Sequence, residues 1–231
     1  MKFLKIFSTL TKFEWGLWLS SLVGVLICTL LSPEFHVLSL FASLVGVTSL
    51  IFIAKGSWQG QILMVIFATL YGIVSFEQRY FGEMITYLGM SLPMAVVALV
   101  SWLRHPYRET AEVQVAALRP LHMAVLVPLS GIVSVGLYFL LGALDTQNLM
   151  ISTLSVTTSF FAASLTFLRT PYFALAYASN DVVLIVMWLL VAIREPAYFS
   201  MVICFAVFLV NDLYSFYSWM KMRRRQRAQK L

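Results

Sequence analysis

Two asparagine–aspartate pairs, Asn180-Asp181 and Asn211-Asp212, stand inside stretches that are otherwise apolar. In hydrocarbon an ionisable side chain costs at least about 2.5–3.5 kcal/mol, so such residues face a bundle interior or a cavity. At about 1.5 Å per residue, Asp181 lies roughly 13 Å from the start of its stretch and Asp212 roughly 12 Å from the end of the next. On antiparallel neighbours the two pairs therefore reach the same depth. Helical spacing puts Asn180, Leu184 and Trp188 on one face, and Asn211, Tyr214 and Ser218 on another. Amides, an indole and a phenol facing a cavity suit a planar heteroaromatic ligand with a polar appendage. The competing reading is polar glue, in which Asn and Asp hydrogen-bond across helices only to hold the bundle together. For the asparagines the ligand reading is the stronger; for Asp181 and Asp212 the structural one is.

The first half of the chain offers Gln61, just inside a span, and Tyr71, whose interest comes from its counterpart Trp188 described below. Trp58 and Trp102 sit at span ends, where aromatic belts are the ordinary explanation. His36, His105 and His122 are too dispersed for a metal site. Cys28 and Cys204 lack metal-ligand spacing and read as small buried hydrophobes. No phosphate-cradling glycine loop, zinc-protease motif or nucleophile elbow occurs. The sequence thus implies neither a cofactor nor a metal, and it speaks against an ATP-driven pump and an enzyme.

The elements that must position these residues are long apolar helices. Hydrophobic residues make up 61% of the chain and charged ones 11%, with a mean hydropathy of +0.88. Soluble domains carry about 25% charged residues, so the composition belongs to a membrane protein. Runs of about 20 apolar residues span a bilayer. Eight are visible, near 15–31, 36–53, 57–76, 82–103, 121–143, 148–168, 172–193 and 197–220. They leave no room for a soluble domain, and they are too long and continuous for β-barrel strands.

With the N-terminus inside and eight spans, 14 of the 16 basic residues fall in cytoplasmic segments, as the positive-inside rule requires. Only Arg79 and Arg194 lie outside, near Glu77 and Glu195. The tail from Met222 to Arg227 reads as an anchor for anionic headgroups rather than a nucleic-acid patch.

Sliding the sequence on itself by 117 positions aligns Tyr71 with Trp188, Phe81 with Tyr198, and Ser101-Trp102 with Ser218-Trp219. This divides the chain into an extra helix (1–34), a three-helix bundle (35–105), a loop and linking helix (106–145), a second three-helix bundle (146–220) and a basic tail (221–231). One linking helix makes the two bundles parallel repeats, with a substrate path between them. Pro120, Pro171 and Pro196 mark helix starts. Pro93 lies mid-span, where it frees a carbonyl one turn earlier and predicts a kink.

The stretch Ala178-Ser-Asn-Asp-Val-Val-Leu-Ile-Val-Met-Trp188, with Tyr198 through Asn211-Asp-Leu-Tyr214 to Trp219, resembles the PnuC family of bacterial vitamin transporters. A weaker likeness covers Trp58 to Trp102. Ser215 departs from the pattern, since many members have glycine there. The resemblance implies an all-α integral membrane fold in which a three-plus-one-plus-three core, similar to the SWEET proteins, follows one extra helix. It also implies facilitated diffusion of nicotinamide riboside across the bacterial plasma membrane, trapping by cytosolic phosphorylation, and a homotrimer. Related branches carry thiamine, riboflavin or deoxynucleosides. Asn180, Trp188, Asn211 and Tyr214 match the family's pattern, with Gln61 and Tyr71 behind them. A phosphorylated substrate would want buried Arg or Lys, and no span interior contains one.

Overall fold

The computed structural model describes residues 4–31, 37–77, 84–108, 110–146, 148–194, 196 and 199–229. His36, Arg79, Phe81, Glu83, Glu195 and Tyr198 lie outside these residues. Among the described residues, eight helices are long and apolar enough to cross a membrane. They are α1 (Lys12–Leu31), α2 (Val37–Ala54), α3 (Trp58–Glu77), α4 (Thr86–Arg104), α5 (Pro120–Ala143), α6 (Leu149–Phe167), α7 (Tyr172–Ala192) and α8 (Phe199–Ala228). Such runs become helices because hydrocarbon offers no water, so every backbone group must be satisfied within its own segment.

Pro93 has a visible effect on α4. Its first turns, Thr86–Ser91, are a π-helix, and the Leu92 N–H bonds to the Tyr87 carbonyl five residues back. Proline supplies no N–H and pushes away the carbonyl four residues before it. The wider turn absorbs that loss, and such turns gather at functional sites.

Hairpin neighbours α2–α3, α3–α4, α6–α7 and α7–α8 pack together, and the two halves meet where α2 lies on α8 and α4 on α6. The first helix of each half thus packs on the third helix of the other. At one end of the molecule this crossing is fixed by four matched hydrogen bonds. Ser101 Oγ donates to the Phe167 carbonyl (2.9 Å) and Trp102 Nε1 to the Thr166 carbonyl (3.0 Å). Ser218 Oγ donates to the Ala54 carbonyl (2.7 Å) and Trp219 Nε1 to the Ile53 carbonyl (2.8 Å). The two indoles meet at 5.2 Å. Both tryptophans are almost wholly buried. The donors are separated by 117 positions and their acceptors by 113.

The ends of α2 and α6 match as well. Gly56 (φ 65°) and Arg169 (φ 55°) each take a left-handed conformation just past their helix. Gly56 N–H bonds to the Ile53 carbonyl and Ser57 N–H to Phe52; Arg169 N–H bonds to Thr166 and Thr170 N–H to Leu165. These are paired Schellman endings. Their carbonyls are then bridged by one connector, through Val113 N–H to Gly56 and Ala116 N–H to Arg169.

The basic tail is less free than its sequence implies. α8 continues as helix to Ala228. Gln226 accepts from the Val115 N–H (2.9 Å) and donates to the Val113 carbonyl (3.0 Å), while Arg225 pairs with Glu112. An amide and a carboxylate partner therefore hold this segment on the connector between α4 and α5.

The extra helix α1 packs on α2 and α8. Glu14, near its start, is only 2% exposed. It accepts from Tyr214 Oη (2.7 Å) and the Thr11 N–H (2.6 Å) and pairs with Lys55 (3.1 Å). Farther along, Asn211 Nδ2 donates to Ser21 Oγ (2.8 Å). The Cys28 and Cys204 side chains also interact across the same seam. The two cysteines are therefore neighbours rather than separate fillers.

Candidate functional site

A cavity opens between the halves, lined from all six helices of the two bundles. On α2 and α6 the lining residues match at a separation of 113: Gly46 with Ser159, Leu50 with Ala163, Ile53 with Thr166. On α3 and α7 the same separation pairs Met64 with Tyr177, Phe67 with Asn180 and Ala68 with Asp181. On α4 and α8 it becomes 117, pairing Ser91 with Phe208 and Ala95 with Asp212. The cavity therefore lies on the pseudo-two-fold axis, and the two halves present equivalent positions with unequal chemistry. The second half supplies an amide and two carboxyls where the first supplies phenylalanine and two alanines.

Four of the eight residues singled out in the sequence meet here: Gln61, Asn180, Asp181 and Asp212. Asn180 Oδ1 accepts from Ser155 Oγ (3.1 Å) and Thr158 Oγ1 (2.7 Å), which fixes the amide with its nitrogen turned away from α6. Gln61 is 2% exposed and its Nε2 has no hydrogen-bond partner among the described residues. Asp181 is 5% exposed and its Oδ2 likewise has none. The Asp181 and Asp212 carboxyl groups lie within hydrogen-bonding reach of each other, as equal depth on antiparallel helices demands. Orphaned buried polar atoms are rare in native proteins, and each calls for an explanation.

The other four lie elsewhere. Asn211, Tyr214 and Ser218 do share a face, but α1 and α2 cover it. Asn211 binds Ser21, Tyr214 binds Glu14, and Ser218 binds the end of α2. A helix turns about 100° per residue, so the face carrying Asp212 differs from that carrying Asn211. Trp188 stands one turn beyond Leu184, the last α7 residue on the cavity. Its alignment with Tyr71 assumed a separation of 117, whereas the cavity-lining positions of α3 and α7 match at 113. Tyr71 does not reach the wall itself; its ring lies 4.4 Å from that of Tyr87, which does.

Several lining residues were not anticipated from the sequence. Phe173 and Tyr177 precede Asn180 at helical spacing on α7, and Phe205 and Phe208 precede Asp212 on α8. From α3 and α4 come Met64, Phe67, Met90 and Met94. Among aromatic-rich spans nothing marks these rings until the cavity face is known. Their polarizable surfaces suit a flat ring, stacked or edge-on. No Lys, Arg or His lines the cavity among the described residues, and no group of His, Cys, Asp or Glu among them is arranged to hold a metal ion.

A family model for the nicotinamide mononucleotide transporter matches residues 36–221, the whole of both bundles. The chain belongs to this family. It is a multi-pass membrane protein of a transporter family, and α1 lies outside the matched segment. A curated relative, the nicotinamide riboside transporter PnuC of Neisseria mucosa, is 23% identical over 97% of this chain and 87% of its own length. The crystal structure of a vitamin B3 transporter PnuC superposes with a TM-score of 0.75, covering 94% of each chain at 23% identity. That likeness extends to α1, so the additional helix belongs to the shared fold.

Proposed function

We propose that the protein is a passive carrier of nicotinamide riboside rather than of the phosphorylated mononucleotide. The carrying observation is the cavity itself, with aromatic and amide walls, two carboxyls, and no Lys, Arg or His among its described lining residues. A phosphate dianion placed there would lack a cationic partner and would face acidic groups, an arrangement hydrocarbon depth penalises severely. A riboside brings a flat ring and hydroxyl and carboxamide groups, which match the walls. The relative named as a nicotinamide riboside transporter supports the same substrate. Gln61, Asn180, Asp181 and Asp212 hold the ligand in this reading, and Asn211, Trp188 and Tyr214 support the frame.

The pseudo-symmetric position of the cavity suits alternating exposure by rocking of the two halves. Cytosolic phosphorylation then keeps the product from leaving, since the charged nucleotide no longer fits. Both termini face the cytoplasm of a bacterial cell, supported by the 14 of 16 basic residues that this orientation places inside, and the protein works as a homotrimer, as its resemblance to PnuC implies.

Purified protein in liposomes tests the reading. Labelled nicotinamide riboside enters without ATP and independently of an imposed proton gradient, and unlabelled mononucleotide competes at least tenfold more weakly. Absence of uptake and binding, or preference for the mononucleotide, refutes it. Thiamine, riboflavin and thymidine as competitors resolve whether a related branch fits better.

A further inference from the structure

We propose that the Asp181–Asp212 pair is the counter-charge for a positively charged ring, so that the cavity selects its ligand as an organic monocation. This deepens the riboside reading above and rests on it. Three observations carry it. The carboxyls face each other from α7 and α8 on the cavity wall, within hydrogen-bonding reach, and a cation seated against them favours the ionised form of the pair. No cationic side chain lines the cavity among the described residues, so that charge has no internal partner. Asp181 Oδ2 and Gln61 Nε2, both on the wall and more than nine-tenths buried, have no hydrogen-bond partner among the described residues.

Repeat equivalence shows where each end of such a ligand goes. The two carboxyls occupy the positions of Ala68 and Ala95 in the other half, so the negative charge is confined to one wall. Gln61 is seven positions before Ala68, the partner of Asp181, which separates its amide from the acid pair by roughly 10 Å along the helix axis. That is the length of a ring joined to a sugar, not of a ring alone. A pyridinium nucleoside seated with its charged ring beside Asp181 and Asp212 places an oxygen acceptor within reach of Gln61 Nε2. Tyr177, Phe205 and Phe208 share the acidic wall, and their ring faces attract the same cation.

The test compares two forms of one molecule with the full-length purified protein. Nicotinamide riboside carries a positive ring; its reduced dihydro form has nearly the same shape and no charge. The wild-type protein binds the cation at least tenfold more tightly than the neutral form. In Asp181→Asn/Asp212→Asn, affinity for the cation falls by about 30-fold or more, as loss of a desolvated charge partner predicts, while affinity for the neutral form changes less than threefold. Equal wild-type binding of both forms overturns the charge assignment without any variant, and so does a parallel loss of both in the double variant. Wild-type binding of neither form overturns the riboside reading itself, and this proposal falls with it.

Discussion

Replacing Trp219 by phenylalanine probes the joint between the halves most directly. The indole N–H donates to the Ile53 carbonyl at 2.8 Å, and the side chain has no exposed surface. A buried hydrogen bond of this kind contributes about 1 kcal/mol net. The Ile53 carbonyl keeps the Gly56 N–H at 2.8 Å, so no orphaned acceptor adds to the loss. Trimming the bicyclic ring to a phenyl leaves a void in a closed site, worth a further 1–2 kcal/mol or so. The expected destabilisation is about 2–3 kcal/mol. Trp102→Phe removes the matching bond to Thr166, whose carbonyl keeps the Arg169 N–H, and costs a similar amount. Because the two rings touch at 5.2 Å, the double variant should fall short of additivity by about 0.5–1 kcal/mol. Reversible unfolding in mixed micelles, followed by tryptophan fluorescence and by helix content, measures all three. A cost below 1 kcal/mol for either single variant, or strict additivity of the pair, would refute the view that these tryptophans form one crossed joint.

At the paired helix endings, adding a side chain and removing one should have opposite effects. Gly56→Ala puts a side chain at φ 65°, with its Cβ 2.7 Å from Met222 Cε, and should cost about 1–2 kcal/mol in the same unfolding assay. Arg169→Gly relieves the left-handed strain at the equivalent place and removes a guanidinium whose buried Nε has no partner among the described residues and whose pKa burial pushes below its ordinary value. It should be neutral or stabilising by up to about 1 kcal/mol. On α1, Glu14→Gln and, on α8, Asn211→Ala break contacts across the seam between those helices. Each should lower stability by about 1–2 kcal/mol, yet leave ligand affinity within about twofold, since neither residue lines the cavity. Loss of binding with unchanged stability would return Asn211 to the site.

The spans were legible because continuous apolar sequence admits only one backbone solution in a bilayer, and the observed helices follow the apolar runs closely. Depth was legible too. Counting residues from the span ends placed Asp181 and Asp212 level, and their carboxyls do meet. What sequence could not supply was the direction of each face. Asn211 and Asp212 are neighbours in the chain, but one faces α1 and the other the cavity, and only the packing of α1 decides which. The repeat was half visible for a similar reason. A gap-free comparison finds the third helices, where the separation is 117, and misses the first two, where it is 113; it therefore paired Tyr71 with Trp188 across the gap. Glu14 drew no notice because it stands just before the apolar run that begins at residue 15, two residues from Lys12, where an exposed boundary charge is the usual expectation. Its burial follows from Lys55 and Tyr214, which lie 41 and 200 positions away.

The crossed joint also sets an order of events during synthesis. Trp102 waits for carbonyls 64 positions ahead of it, which arrive when α6 is inserted. Trp219 reaches back 166 positions to Ile53, so the end of α2 stays unlatched until α8 is almost complete. Gln226 and Arg225 then close the connector that both helix endings share. The first half must therefore reside in the membrane with one of its ends open while the second is being made. That open end therefore closes only once α8 has left the ribosome and entered the membrane.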